Sequence, residues 1–340
     1  MKRLFTPASS LAAAVTGTRR ASRNLRLTRA ALAAALAAAL TPAAAQSNFP
    51  ERPITMVVPF GPGGTTDIMA RLLADEFGRQ IGGSVVVLNS AGAGGAIGMS
   101  TLSRAAADGY TISMTTVGPL TIQPARRSNT GYSPESFDYI CGTYDVPMFT
   151  LVPQNSPHTS YKALVAWAKA NPGKFNYGSS GIGTMPHISG LQQWKHEGVE
   201  GLHVPYKSTG DMVVPLKNGE LTVFNETPPV ALQHQLRPLV ALTDKRVPDF
   251  DNVPSAKELG LPVRGSVWGG VVAPKGLPAD VRRKLESACR KATETTLYRA
   301  RAQAARSPLV WRDGAQFQSF VMDQFKQFNQ VVTDNNLREK

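Results

Sequence analysis

The chain has 340 residues but only two cysteines, Cys141 and Cys289. No C-x-x-C pair and no Cys/His cluster accompanies them, which removes structural zinc from consideration. They lie far apart in sequence and nothing there fixes their geometry, so two buried thiols are expected rather than a bridge. Long apolar runs are also missing. Ala30–Leu40 spans eleven residues, against the ~20 that a bilayer core requires, and no later segment reaches that length without a charge. Acids are scarce: 24 Asp+Glu face 37 Lys+Arg, for a net charge of +13. Seven of those bases (Lys2, Arg3, Arg19, Arg20, Arg23, Arg26, Arg29) sit in the first 50 residues, which hold no acid, leaving 30 bases against 24 acids beyond. That remainder is scattered and not banked in one stripe, so no nucleic-acid partner is expected. With 42% hydrophobic and 18% charged residues, the chain can bury a core, and wholesale disorder is excluded.

What the first 45 residues do contain is the pattern of a secretory signal peptide. A basic stretch runs to Arg29, the apolar Ala30–Leu40 follows, Pro42 breaks it, and Ala43-Ala44-Ala45 offers an A-x-A cleavage site before Gln46. Periplasmic export is the expectation. Thr18-Arg19-Arg20 lacks the hydrophobic pair that a twin-arginine signal needs. The mature chain of ~295 residues corresponds to two domains at the usual ~100–200 residues each.

The mature region alternates strands and helices. Ile54–Pro59 is a short β-branched apolar run that ends at Gly61-Pro62-Gly63-Gly64, and a helical pattern (Ile68, Leu72, Leu73, Phe77) starts at Thr65-Thr66-Asp67. A buried strand, a glycine turn and a helix start make a βα unit of the parallel-sheet type. The unit recurs at Val85–Leu88, whose Asn89–Gly98 exit leads into a helix to about Ala107, and Thr111–Thr115 follows as a strand. A second set begins near Met148–Val152 and includes helix Ser160–Ala170, strand Phe175–Tyr177, the Gly178–Thr184 turn and a helix from Pro186 to about Glu197. Leu202–Val204, Leu221–Asn225, Val240–Thr243 and Val267–Ala273 read as strands and Thr209–Lys217 as a helix. Two long helices, Ala279–Ala305 and Gly314–Asn335, close the chain. The fold class is therefore α/β, with the βα architecture repeated once in each half. Such sheets bind ligands at the carboxyl ends of their strands, so the glycine-rich exits should share a cleft.

Those exits suit an anion. Glycines admit close approach of backbone N–H groups, and a helix start adds orphan donors and partial positive charge. Asp67 reads as a helix cap and not as a catalytic acid. Gly92–Gly98 has G-x-G-x-x-x-G spacing with no acid ending the next strand, which does not fit a dinucleotide fingerprint. No P-loop is present, and Gly178-Ser179-Ser180-Gly181 misses the nucleophile elbow because Ile182 holds the last position. Ser179, Ser180, His187, His203 and Asp211 supply the residue types of a hydrolase triad, but a triad is defined by geometry. No paired histidines or carboxylates suggest a metal.

Taken in order, Ile54–Phe60, Gly63-Gly64-Thr65-Thr66-Asp67, the Asn89–Gly98 loop, Asp108-Gly109-Tyr110-Thr111, Val204-Pro205-Tyr206-Lys207, Val253-Pro254-Ser255, Glu258–Pro262 and Ala273–Pro278 resemble the Bug family of extracytoplasmic solute receptors, the binding components of tripartite tricarboxylate transporters. The resemblance implies a type II periplasmic-binding-protein fold: two α/β lobes with a hinge and an interlobe ligand cleft. Residues 46–147 with 246–340 would form one lobe and 148–245 the other. It implies a receptor without chemistry, not an enzyme, with no cofactor. Its partners would be a small organic carboxylate (a dicarboxylate, an aromatic acid or a related acid) and membrane permease subunits, and the receptor itself would be a monomer. A receptor feeding a sensor kinase, or a secreted hydrolase using Ser179 or His187, are the alternatives. Carried across residue by residue, the ligand contacts fall on Phe60, Gly64, Thr65, Thr66 and Asp67, on Ala91, Gly92 and Gly94, and on Thr115 and Val117. In the second lobe they fall on Ser179, Gly183, Thr184 and His187, on Tyr206 and on Asn225. The chain departs from the family pattern at Ser90-Ala91, where Arg-Pro is usual, and at Ser208, where glycine is usual. An acid common in the Leu221–Asn225 strand is replaced, which argues against an amino-acid ligand, and Glu226 is an unexpected neighbour of the cleft.

Overall fold

The computed structural model of the protein describes residues 48–339, so the signal-peptide segment lies outside the described residues. Eleven strands run in chain order as β1 (Ile54–Val58), β2 (Val85–Asn89), β3 (Thr111–Thr116), β4 (Phe137–Pro147), β5 (Phe149–Pro153), β6 (Asn176–Ser179), β7 (Leu202–Pro205), β8 (Val223–Glu226), β9 (Leu236–Ala241), β10 (Ser266–Pro274) and β11 (Leu309–Asp313). The helices are α1 (Thr65–Ile81), α2 (Ala96–Ser103), α3 (Gln123–Arg126), α4 (Tyr161–Ala170), α5 (Met185–Glu197), α6 (Gly210–Lys217), α7 (Pro228–His234), α8 (Ala279–Glu294), α9 (Thr296–Ala304) and α10 (Gly314–Asp334).

The strands form two sheets, of order β11-β4-β10-β3-β1-β2 and β7-β6-β8-β5-β9. Each has the same plan. A parallel trio (β2-β1-β3 in one, β7-β6-β8 in the other) is joined on one side by an antiparallel strand, β10 or β5. Burial follows position. β1, flanked by β3 and β2, is buried on both faces, as its apolar run requires. β2, at the edge, alternates, and leaves Val86 and Leu88 about half exposed.

The chain passes between sheets from β4 to β5 and returns from β9 to β10. These passages are bonded to one another: Met148 N–H donates to the Gly265 carbonyl (3.0 Å), Leu242 N–H to Met148 (2.8 Å) and Gly265 N–H to Leu242 (3.0 Å). Three segments held in register at one place form a narrow waist between the two layers.

Four elements were not anticipated: β4, β11, α3 and α7. β4 carries two aspartates and a glycine, and its pairing with β10 is interrupted by irregularities between Gly269 and Gly270 and between Val271 and Val272, so no clean alternation marks it. The expected helix from Ala279 to Ala305 is two helices, because the Thr295 hydroxyl accepts from Tyr298 N–H (3.2 Å) and caps a fresh start. α2 stops at Ser103, short of Ala107. The two cysteines correct the expectation of free thiols. They form a disulfide between β4 and α8, both fully buried, with Cα atoms 6.6 Å apart, within bridging range. The pairing was hidden because β4 itself was not recognised.

Candidate functional site

Two βα units, one from each sheet, meet in the gap between the layers. In the first, β1 exits through Gly61–Gly64 into α1. The residue before the helix, Gly64, is extended and provides no side-chain cap. The first intrahelical bond is Ile68 N–H to Gly64 (3.0 Å), so the N–H groups of Thr65, Thr66 and Asp67 remain free of the helix ladder. In the second, β6 exits through Ser180–Thr184 into α5. Thr184 is extended and uncapped, and Ile188 N–H to Thr184 (3.0 Å) is the first ladder bond. Both helix starts therefore present donors and positive partial charge to the gap.

Each loop is held by the third residue of its helix. The Asp67 carboxylate accepts from Gly63 N–H (3.1 Å), while Arg71 (2.9 Å) and the Asn89 amide (2.9 Å) anchor it from behind. The His187 Nδ1 accepts from Gly183 N–H (3.3 Å). Its ring lies 4.1 Å from that of His203, which in turn meets the Ser179 hydroxyl at 2.7 Å. Burial, then the charges of His203 and Arg126, depresses the His187 pKa to about 3. Burial depresses that of His203 to about 4. Both imidazoles are neutral at ordinary pH, which is what an accepting Nδ1 requires.

The two jaws touch. The Thr65 hydroxyl lies 2.9 Å from the Glu226 carboxylate and 2.7 Å from the Thr227 hydroxyl. Gln123 donates to the Ile182 carbonyl (2.8 Å), and Arg126 reaches the same oxygen at 3.4 Å. Arg126 is steadied by the chain end: its Nε donates to Leu337 (3.0 Å), and Glu339 N–H returns a bond to the Arg126 carbonyl (2.9 Å). Gly94 and Gly181 approach so closely that a Cβ on Gly181 would stand 3.0 Å from the Gly94 Cα.

Between the jaws lies a cavity of about 30 Å³, walled on one side by Phe60, Gly64–Asp67, Thr116–Gly118 and Val267 and on the other by Ser180, Thr184–Pro186, Thr209 and Glu226. Of the residues expected to contact ligand, Phe60, Gly64, Thr65, Thr66, Asp67, Val117 and Thr184 line it. Ala91, Gly92, Gly94, Thr115, Ser179, Gly183, His187, Tyr206 and Asn225 stand outside its wall. Gly94 and Gly183 lie at the seam between jaws. Ser179 and His187 brace the second loop. Asn225 points its amide back to Ser189 (3.1 Å) and Gln193 (3.0 Å) within the second layer. Thr115 is fully buried. Conversely, Thr209, Gly118 and Val267 are wall residues outside that set, and Glu226, noted from the sequence as a neighbour of the cleft, joins them. Thr209 begins a helix pattern, and that was its one available signal.

Among the described residues no group of three or more His, Cys, Asp or Glu side chains is placed to hold a metal ion. No helix among them is long and apolar enough to cross a membrane.

Two α/β layers, a bonded waist and a cavity closed by strand exits from both sides define the fold of the periplasmic binding proteins. The solved periplasmic binding protein BugD superimposes with a TM-score of 0.82 at 30% identity, over 86% of this chain and all of that one. Residues 69–337 match the tripartite tricarboxylate transporter family receptor model, and the chain belongs to that family. Over 308 residues it is 32% identical to the "UPF0065 protein in gbd 5'region" of Cupriavidus necator, covering 89% of this chain and 94% of that protein. Two further structures are similar. MatC from Rhodopseudomonas palustris, with bound malate, has a TM-score of 0.78 at 26% identity, over 84% of this chain and 100% of that one. An R. palustris protein with adipate reaches 0.79 at 28%, over 84% and 98%.

Proposed function

We propose that this chain is an exported receptor that captures a small organic carboxylate between its jaws and presents it to the membrane subunits of a tripartite transporter. Residues 46–147 with 246–340 act as one lobe and 148–245 as the other. The observation that carries the reading is the convergence of two uncapped helix starts, α1 and α5, on one cavity: an anion there meets free N–H groups and two positive helix ends at once. The malate and adipate held by the similar R. palustris proteins agree with that chemistry.

The cavity of about 30 Å³ is far below the ~300–1,000 Å³ of small-molecule sites. Entry therefore requires the cross-jaw contacts at Thr65 and Ile182 to part, and capture is their re-formation around the ligand. A ligand drives closure only through its higher affinity for the closed arrangement. The His203–Ser179 pair lies behind the loop, where Ser179 bonds the Gly181 carbonyl, and its role is to brace that loop.

A thermal-shift screen of mono-, di- and tricarboxylates tests the reading, because a ligand that prefers the folded state raises the melting temperature by mass action. At least one carboxylate should raise it and should be recovered chemically unchanged. A flat screen, or turnover of the bound acid, would overturn the reading.

A further inference from the structure

Among the described residues, the wall of the cavity carries two acids, Asp67 and Glu226, and no base. Asp67 has its counter-charge in Arg71. Glu226 ends β8, is 4% exposed and has only neutral partners. The Thr209 hydroxyl donates to its Oε1 (2.8 Å), and the Thr65 hydroxyl (2.9 Å) and Thr227 N–H (3.1 Å) donate to its Oε2. The elements packed around it supply no ion pair among the described residues. β5 sets Phe149 beside it, and β4 brings the buried phenol of Tyr144, which lies 3.5 Å from the Thr66 hydroxyl. Asp211 of α6 is exposed, and His234 of α7 meets the Gly63 carbonyl (3.3 Å). A buried carboxylate with no cation is costly, and such a group ordinarily escapes the cost by taking up a proton. Oε2 already fills both of its acceptor sites, whereas Oε1 fills one, so Oε1 is where a proton fits.

We propose that the receptor takes up a proton with each carboxylate it captures, and that Oε1 of Glu226 holds this proton in the closed jaws. The proposal rests on the receptor reading above and adds a second cargo to it. The contact between Thr65 and Glu226 bridges the jaws. When the jaws part, the carboxyl meets water and ionises as an ordinary glutamate does, near pH ~4.3. Closing returns it to the buried wall. A ligand carboxylate held at the N–H groups of α1, whose first residue touches Glu226, is then its close neighbour. Two carboxylates so placed and shielded from water do not both stay ionised. One proton from solvent forms the Oε1–H bond, and no other covalent bond forms or breaks. Opening returns that proton to water beside the released ligand. Burial pushes the Glu226 carboxyl upward against the pull of its three donors, which acts in the same direction. The closed form therefore binds more protons than the open one. Affinity rises as pH falls from the raised closed-state value toward ~4.3, by up to about tenfold per pH unit.

Calorimetric titration of the mature protein with succinate, L-malate, adipate and benzoate decides the matter. Each acid is run at neutral pH in PIPES and in Tris, buffers of different ionisation enthalpy, so that the difference in heat counts the protons exchanged. Any of these acids that binds the wild type should bring about one proton per site with it. Glu226→Gln keeps the shape and an accepting oxygen but cannot gain a proton, and its uptake should vanish. Wild-type binding without proton uptake overturns the proposal while leaving the receptor reading intact. So does a Glu226→Gln protein that takes up protons as the wild type does. If that variant folds poorly, infrared difference spectra of wild type grown with carbon-13-labelled glutamate give the answer. Adding a bound acid should replace a labelled carboxylate band by a labelled protonated-carboxyl band, and the lack of that exchange overturns the proposal. A wild type that binds none of the acids overturns the receptor reading itself.

Discussion

The two jaw loops share one backbone plan and are held by different chemistry. Gly63-Gly64 leads into α1 and Gly183-Thr184 into α5. Each has a left-handed glycine followed by an extended residue, and each is anchored four residues on by an acceptor for the glycine N–H. In the first jaw that acceptor is a carboxylate, Asp67, backed by Arg71 and Asn89. In the second it is a neutral imidazole, His187, packed at a tilt against His203. The geometry that frees helix-start donors can thus be maintained with or without charge, but the two versions answer differently to pH and to substitution.

The largest expected asymmetry is covalent. The first sheet is cross-linked by Cys141–Cys289, which closes a 148-residue span, and among the described residues the second has no such bridge. Replacing both cysteines by serine should cost about 2–5 kcal/mol of unfolding free energy, read by urea denaturation; an unchanged midpoint would show that the bridge is dispensable. Next comes Asp67→Ala. It strands Gly63 N–H, takes one acceptor from the Asn89 amide and removes the ion pair of Arg71, and should cost about 2–3 kcal/mol while weakening ligand binding at least tenfold.

Gly183→Val sharpens the contrast from the other side. At φ +77° a side chain is strained, and its Cβ would lie 2.6 Å from the Arg126 side chain. Affinity should fall at least tenfold, about 1.4 kcal/mol. Unchanged affinity by calorimetry would remove the second loop from the closing surface.

The smallest effect is a pH slope confined to the second jaw. His187 and His203 hold their folded-state pKa values near about 3 and about 4, below the ~6.5 of an unfolded histidine. The unfolded chain therefore binds more protons between those limits. Their contribution is whole above pH ~6.5 and declines as pH falls toward 3, by up to about 1.4 kcal/mol per pH unit for each ring. His187→Asn retains an acceptor for Gly183 N–H without a titrating ring, and should flatten that part of the stability–pH curve. A curve unchanged by the substitution would mean that the imidazole is not buried as described.

Much of this was legible in advance. The β1–α1 unit, the repeat of βα architecture and the anion-friendly turns all rest on local signals: β-branched runs, glycine turns and helical spacing. The receptor class followed from the ordered motifs. What escaped detection depends on partners distant in the chain. β4 is a strand because β10 and β11 flank it, and its own pattern is mixed. Cys141 and Cys289 meet only once β4 and α8 pack. Thr209 belongs to the cavity because its hydroxyl and that of Thr65, more than 140 residues earlier in the chain, both bond the Glu226 carboxylate. His187, expected to contact ligand, accepts from Gly183 N–H in the second loop.

The last residues of the chain have a practical bearing. Leu337 and Glu339 are tied to Arg126, whose guanidinium in turn touches the Ile182 carbonyl of the opposite jaw. A fluorescent dye coupled at position 338 would sit two bonded contacts from the seam. Such a labelled protein would serve as an optical sensor, reporting each opening and shutting as a change in emission without any alteration to the walls of the cavity.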